Sequence, residues 1–551
     1  VRIFIVWTIL GLAAGAMPAQ DRENTRPPSR PADVQSPAAQ LPKIDLPEFV
    51  ITGTATIDPP DVRKNSTDDS GIYKRHPSEN LPGTRDAGTV DLGERFRRSL
   101  FATGEVRDGF LTAKLGTFFS PSVGMSYGVS SESYGVHGRL EYARTKGFAR
   151  FTDASRGLLA AGASLVLDHP GTVFHESRLD GEASYEIRKY KFYGSRWPSI
   201  QRERTVGDLQ LGIASAVDAP QSYLARLEYR GLTLSDSSAS VTENHVTIMA
   251  GSGIPILEFP LEFRAAADLS TITAATPVSL SLFRLSLLSV PFRWKEFSLS
   301  VILNGFAVTG MNNQRGNYVY PEVRMRYVLS DNHVVMLGYH PSVEYATLRE
   351  ETFRQPYLSG LSVIRHPVDR LALSGGVESF WAGWITTKLS ATYRRTTDLP
   401  LYSDGANSGV GSFQYGGTTS LLTVRADAVA NITPNDYFAV AATANSTKND
   451  LTRARVPYIP GFEMSAFYRR ILSSAFQASV SLNGYTQRRA SATGSLTAPG
   501  GLWSAVRLEY TGIRGLRLFV AAENIFDRDD QAWKNYPVEP FRIDLGLSYR
   551  W

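Results

Sequence analysis

A chain of 551 residues with 46 Gly, 27 Phe, 25 Tyr, 8 Trp and no Cys has room for one large domain or two ordinary ones, so pattern rather than length has to settle its class. Its mean hydropathy of -0.17 excludes a bundle of membrane-spanning helices but not a membrane barrel, whose strands show lipid only every second side chain. The formal charge of +5 is small for the length and no basic stripe with interleaved aromatics accompanies it, so no nucleic-acid partner is expected.

In chain order, the first feature is Arg2 followed by the apolar run Ile3 to Met17 (IFIVWTILGLAAGAM) and small residues. That pattern predicts an export signal over 1–19, cut after Ala16 or Ala19, because a spanning helix needs about 20 apolar residues. The absence of Cys fits a chain that crosses an oxidising compartment unfolded. From Gln20 to Asp108 the sequence is polar and carries Pro27, Pro28, Pro31, Pro37, Pro42, Pro47, Pro59 and Pro60. Such a segment buries too little apolar surface to offset its ordering entropy, which predicts a tether over 20–108, facing the periplasm. One β-branched island interrupts it, Leu46 to Thr56 (LPEFVITGTAT).

Over 109–551 the texture changes to short runs of period two, each ended by Gly, Pro, Asn, Asp or Ser. Phe476, Ala478, Val480 and Leu482 alternate with Gln477, Ser479, Ser481 and Asn483, and Val506, Leu508 and Tyr510 alternate with Arg507 and Glu509. A soluble sandwich alternates in the same way, so connection lengths decide. Counting back from the C-terminus, long polar connections (Phe526–Pro540, Tyr485–Pro499, Ser446–Pro460, Arg395–Gly417, Pro341–His366) alternate with tight ones (Thr511–Gly515, Arg470–Ser474, Asn431–Asp436, Phe380–Gly383, Leu329–Asn332). Loops on one side and turns on the other predict an all-β, transmembrane antiparallel barrel of roughly twenty-two strands, with both termini in the periplasm.

In the last strand Phe541, Ile543, Leu545, Leu547, Tyr549 and Trp551 form one face, while Arg542, Asp544, Gly546, Ser548 and Arg550 form the other. A continuous apolar face ending on an aromatic suits the closing strand of a barrel in the outer-membrane bilayer. Phe541, Ile543, Leu545, Gly546, Leu547, Tyr549 and Trp551 also resemble the sorting signal read by the outer-membrane barrel assembly machinery.

With what precedes it, GLRLFVAAENIFDRDDQAWKNYPVEPFRIDLGLSYRW resembles the C-terminus of TonB-dependent outer-membrane receptors, whose penultimate strand ends in an Asn-(Leu/Ile)-Phe-Asp motif, here Asn524, Ile525, Phe526 and Asp527. Near the other end Glu48, Phe49, Val50, Ile51, Thr52 and Gly53 are similar to the family's TonB-contacting box, an extended hexapeptide able to add as a strand to a partner's sheet edge. The resemblance implies an outer-membrane protein that imports a scarce or bulky small-molecule nutrient, with TonB or another periplasmic protein as partner. The chain departs from the family where a folded plug domain belongs, having only the polar stretch Thr54 to Arg107 there. Three readings of the wide lumen stay open: a plug reduced to that stretch, obstruction by long loops or another protein, or an open passive channel.

Catalytic patterns are absent. His76, His137, His169, His175, His245, His333, His340 and His366 are scattered outside any HExxH or GxSxG frame, and Asp168-His169 and Arg365-His366 read as solvated turn and loop residues. No enzyme, cofactor or metal is expected. Arg226, Glu228, Arg230, Glu322, Arg324, Arg326, Arg507 and Glu509 are expected to face the lumen and pair across strands. Pro341–His366 and Arg395–Gly417 are the expected ligand-capturing loops. A passive porin-like channel and a plugless barrel that scaffolds a partner protein are the alternatives to an uptake receptor.

Overall fold

The computed structural model describes residues 106–551, apart from short internal segments at 132, 168–173, 175–176, 216–221, 238–239, 257–258, 275–276, 290–291, 382–383, 405–406 and 493–494. Twenty-two antiparallel strands close into a barrel. They are β1 (Val106–Gly116), β2 (Ser120–Ser130), β3 (Tyr134–Thr145), β4 (Ala154–Leu167), β5 (Ser177–Lys191), β6 (Gln201–Ala214), β7 (Ser222–Asp236) and β8 (Ser240–Ile256). Next come β9 (Phe259–Thr273), β10 (Val278–Ser289), β11 (Phe297–Thr309), β12 (Arg315–Ser330), β13 (His333–Tyr339), β14 (Val368–Trp381) and β15 (Ile385–Thr397). The series ends with β16 (Thr418–Thr433), β17 (Asp436–Asn449), β18 (Phe462–Ser473), β19 (Phe476–Tyr485), β20 (Gly501–Ile513), β21 (Leu516–Glu523) and β22 (Arg542–Arg550).

Each strand pairs with its sequence neighbour, and β22 returns to β1 from Phe110↔Arg550 to Gly116↔Asp544. Gly109 and Trp551 exchange both backbone hydrogen bonds beyond that ladder, each 3.0 Å. Closure leaves no sheet edge to expose unpaired backbone groups to hydrocarbon. The alternation read from the sequence sorts inside from outside. Ile543, Leu545 and Tyr549 face outward and are exposed, while Arg542 and Asp544 face inward and are buried. Leu545 shares its rung with Leu115 of β1 and Val520 of β21, so apolar side chains run round the wall at one level, where a charge would cost about 2–4 kcal/mol.

The first strand starts at Val106, three residues before the predicted boundary of 109. Arg107 and Asp108 hide it from a hydrophobicity pattern, yet they continue the ladder opposite Val129 and Gly128. Asp108 also bridges the closing seam to Arg550 at 2.8 Å.

Connections sort onto two rims. From β12 onward the turn rim carries 331–332, 382–384, 434–435, 474–475 and 514–515, and the loop rim carries 340–367, 398–417, 450–461, 486–500 and 524–541, as the sequence beat predicts. In the first half the beat is lost. There the loop-rim connections 117–119, 237–239, 274–277 and 310–314 are as short as turns. The second half therefore owns most of the chain that covers the mouth, and the first half contributes chiefly 192–200, whose Phe192 and Tyr193 pack on Tyr357.

Candidate functional site: a dome of loops over the barrel mouth

The long connection 340–367 starts as a continuation of the wall, with Ser342–Val343 paired to Val368–Asp369. It then leaves the rim as a strap bearing α1 (Leu348–Arg354). Thr347 caps this helix by accepting the Glu350 N–H at 3.1 Å, and Arg354 in its last turn ion-pairs with Glu351 at 2.9 Å and Glu344 at 3.2 Å. The first N–H groups of a helix lack partners within it. Here the Glu243 carboxylate of β8 supplies them, accepting from Leu348 at 3.1 Å, from Arg349 at 2.8 Å and from the Ser270 hydroxyl at 3.0 Å.

The strap is fastened further along β5 and β6. Arg349 pairs with Asp208 at 2.8 Å, Arg202 donates to the Leu358 carbonyl at 2.5 Å, and the Tyr190 hydroxyl donates to the Pro356 carbonyl at 2.9 Å. Apolar contacts accompany the polar ones. Ala346, Leu348 and Ile364 pack on Val206, Leu232, Leu234 and Val241. Leu358 enters a second core with Leu399, Leu401, Tyr402, Val456, Tyr458 and Ile459, which come from the other long loops. Tyr357 stacks on Tyr536 with ring centroids 3.5 Å apart and meets Tyr190, Phe192 and Tyr193 edge-on. Each fully buried Leu or Ile contributes about 1.5–3 kcal/mol. The loops thus fold as one packed dome rather than as separate mobile fingers.

At the base of the strap three rings stack. His245 lies 4.9 Å from Tyr345, and Tyr345 lies 4.6 Å from His366. His366 is fully buried. Its Nδ1 accepts the Ala346 N–H at 3.1 Å and its Nε2 donates to the Thr309 carbonyl at 3.2 Å, a pattern open only to the neutral ring. Burial pulls its pKa down to about 4, against the opposing pull of that carbonyl. The Gln314 side chain holds the His366 backbone from both sides, at 2.7 and 2.8 Å. This corrects the reading of His366 as a solvated loop residue. The ring is the keystone that joins the strap to the rim.

The lumen-facing charges also differ from expectation in one respect. Arg226–Glu228–Arg230, Glu322–Arg324 and Arg507–Glu509 form their ion pairs along their own strands, two residues apart, and reach across strands to neutral partners, Arg226 to Gln210, Glu322 to Asn304 and Glu509 to Gln477. Successive inward side chains of a strand lie on the same concave face, close enough for these long groups to meet. Arg156 and Arg204 do cross, both reaching Glu186. Among the described residues no group of three or more His, Asp or Glu side chains is placed to hold a metal.

Of the sequence-predicted residues, Asn524 is buried at the top of β21, with φ +48. Its amide donates to the Glu539 carbonyl at 2.9 Å, and the Asp527 carboxylate accepts the Phe541 N–H at 2.8 Å. Ile525 and Phe526 stay exposed. The motif therefore ties the two ends of loop 524–541 together. Gly546 faces the lumen beneath Phe519, where an added Cβ would stand 2.3 Å from that ring. Phe541, Ile543, Leu545 and Tyr549 line the outer face and Leu547 lies among them half-buried, while Trp551 ends the seam. Glu48, Phe49, Val50, Ile51, Thr52 and Gly53, together with the signal and tether, lie outside the described residues, as does Asp168-His169.

The sequence carried a sign of the dome. Inward positions near the loop end of β7 to β10 are apolar (Leu232, Leu234, Val241, Ile272, Leu280, Leu282), on strands whose outer faces are apolar as well. At the loop ends themselves the outward positions are Thr233, Thr242, Thr271 and Ser281, so the apolar side chains there point into the lumen and need a second layer to cover them.

A closed 22-strand wall with an apolar outside, a polar inside and long loops on one rim is an outer-membrane barrel, and its fold is that of the TonB-dependent receptors. Among solved structures it is similar to the copper transporter OprC, with a TM-score of 0.65 and 11% identity over 82% of this chain and 81% of that one. The FrpB iron transporter from Neisseria meningitidis matches at TM-score 0.65 and 9% identity over 81% of each chain. The siderophore receptor PiuA from Acinetobacter baumannii matches at TM-score 0.62 and 7% identity over 82% of each. No protein-family model and no curated protein matches the chain. At such identities the likeness concerns architecture, and no residue role is carried over.

Proposed function

We propose that this protein is an outer-membrane transport protein resembling a TonB-dependent receptor, which imports a scarce or bulky nutrient. In this reading the loop rim faces outward, both termini face the periplasm, and Glu48–Gly53 offers a strand to TonB or another periplasmic protein. The observation that carries it is the dome. A passive porin needs an open mouth, whereas Leu348, Leu358 and Ile364 are fully buried where the mouth would be. A polar lumen behind a closed mouth suits a solute admitted on demand. The same closure also suits the alternative of a scaffold barrel, for which a partner would co-purify from native membranes.

Planar-bilayer recording of the full chain tests the proposal: a receptor is silent at rest, and large steady conductance would return the porin. A second measurement addresses coupling. A periplasmic TonB domain is expected to bind a peptide covering Leu46 to Thr56, and absence of binding at high micromolar concentration removes the coupled reading.

A further inference from the structure

The arginines that line the lumen are, as a rule, neutralised. Arg188, Arg226, Arg264, Arg324, Arg425 and Arg507 each have a carboxylate two residues away on the same strand within salt-bridge distance. On the turn rim the rule lapses, at Arg517 and at a cluster of three cations that the connection before β11 brings together. The three-residue strand Phe292–Trp294 pairs with the start of β11, so that Arg293 stands opposite Ser298. Ser298 in turn stands opposite Arg326 of β12. Paired residues share a face, and Ser298 is on the lumen face with Ile302 and Asn304.

A guanidinium, a hydroxyl and a second guanidinium therefore occupy one rung of three adjacent strands. With strands about 4.8 Å apart, the two arginine backbones are on the order of 10 Å from each other, a span that two long side chains close around one oxyanion. Lys295 adds a third cation from the connecting turn, at φ +51. Among the described residues none of the three cations has a carboxylate within salt-bridge distance, although Glu296 is a neighbour on the same turn. Together with Glu296, Phe297 and Val328 they border a cavity of about 340 Å³, and the Lys295 ammonium also lies 5.7 Å from the centre of the Trp294 ring. Three cations against one carboxylate leave an excess of positive charge, and an anion seated between the two guanidinium groups offsets their repulsion.

We propose that Arg293, Ser298 and Arg326, with Lys295, form a binding site for a phosphate-class oxyanion at the turn-side mouth of the lumen. The two guanidinium groups would clamp its oxygens bidentately and the Ser298 hydroxyl would donate a further hydrogen bond. Such an anion has two sources. It is either a free phosphate or phosphorylated solute in the lumen, or the headgroup of an anionic lipid that reaches round the rim. Phe292 and Trp294, exposed on the outer face of the same hairpin, bring lipid close enough to keep the second source in play.

The test uses the full chain at fixed ionic strength, since exposed cations are screened by salt. Inorganic phosphate is titrated against protein in neutral-headgroup detergent and followed by phosphorus NMR. In parallel, retention of phosphatidylglycerol over phosphatidylcholine is read by native mass spectrometry after extraction from mixed nanodiscs. The double variant Arg293→Gln/Arg326→Gln is compared with Arg514→Gln/Arg517→Gln elsewhere on the turn rim, and heat-modifiable mobility verifies that each barrel is folded. At least a tenfold loss of phosphate affinity in the first double variant alone supports the site with a soluble ligand. The same selective loss seen only for phosphatidylglycerol supports it with a lipid ligand. Equal losses in both double variants, or no response of the natural protein to either probe, overturns the proposal. Ser298→Ala is expected to weaken binding about threefold without moving the barrel's melting.

Discussion

The Glu243 carboxylate on β8 accepts the backbone N–H of Arg349 at 2.8 Å, joining a wall strand to a helix that starts 105 residues later in the chain. Glu243 is almost completely buried, and its carboxyl oxygens accept from Leu348, Arg349 and Ser270. Replacing it by Gln keeps the shape but turns an amide N–H toward N–H and O–H donors, and the buried donors left without acceptors cost about 1–3 kcal/mol. Glu243→Gln is expected to raise hydrogen exchange across 346–364 and leave β16 to β20 protected. Unchanged exchange in the strap would show that the apolar contacts alone hold it.

His366 gives the dome a dependence on acid. Its folded pKa of about 4 lies below the ordinary histidine value of 6.5, so above pH 6.5 the ring is neutral in both folded and unfolded chains and makes no difference. As pH falls from 6.5 toward 4 the unfolded strap takes up a proton that the folded one refuses, and stability drains away by about 3 kcal/mol. Below that pH the loss is complete. Tyr345, His245 and Asp268 face the same stack and are already paired or stacked. A spin label on Leu361→Cys, at an exposed strap position in a Cys-free chain, is expected to gain mobility across this window. In His366→Asn, which keeps an acceptor but does not titrate, that gain should vanish. Identical pH profiles in the two proteins would remove His366 as the cause.

Gly546 separates what a pattern shows from what a contact shows. Its Cβ would meet Phe519 at 2.3 Å and the Ala113 carbonyl at 2.9 Å, and the Arg507 guanidinium lies over the Phe519 ring, 3.8 Å from its centre. Gly546→Ala must push the ring off the wall or strain the β1–β22 seam, with an expected loss of about 1–3 kcal/mol. The melting temperature of the purified barrel is the measurement. Leu545→Ala, one position away on the lipid face, should change it far less.

Legibility followed the physics of each feature. β22 could be read residue by residue because lipid and lumen impose opposite chemistries on alternate positions, from Phe541 to Trp551. Strand number and the loops from β12 onward were legible for the same reason, since Asn, Asp, Gly and Pro punctuate them. The dome was not. Its core joins Leu358, Tyr402, Tyr458 and Ala490 from four loops, and no local period records such contacts. Only Leu232, Leu234, Leu280 and Leu282, apolar where a lumen wall should be polar, betrayed it. His366 was misread because a loop residue in sequence became a buried one once Gln314, Ala346 and Thr309 closed around it.

The dome and the barrel should separate under mutation, and that separation decides what closes the pore. Leu358 is fully buried among apolar loop side chains, so Leu358→Asp places a carboxylate in an apolar core whose nearest cation, Arg202, is already held by Asp236 and the Leu358 carbonyl. Burial of an unpaired charge costs several kcal/mol, more than one Leu contributes, and the loops are expected to come apart. The barrel should persist, because its ladders run independently from β1 to β22 and close on themselves. Heat-modifiable mobility would therefore stay normal. Bilayer conductance should rise from silence to steady steps, and cells carrying the variant should admit antibiotics too large for ordinary porins. If the strap is shown to be loose by exchange and the protein still conducts nothing, the loops are not the barrier. The two other readings of the lumen, a plug reduced to the stretch Thr54 to Arg107 or obstruction by another protein, would then be the ones to test.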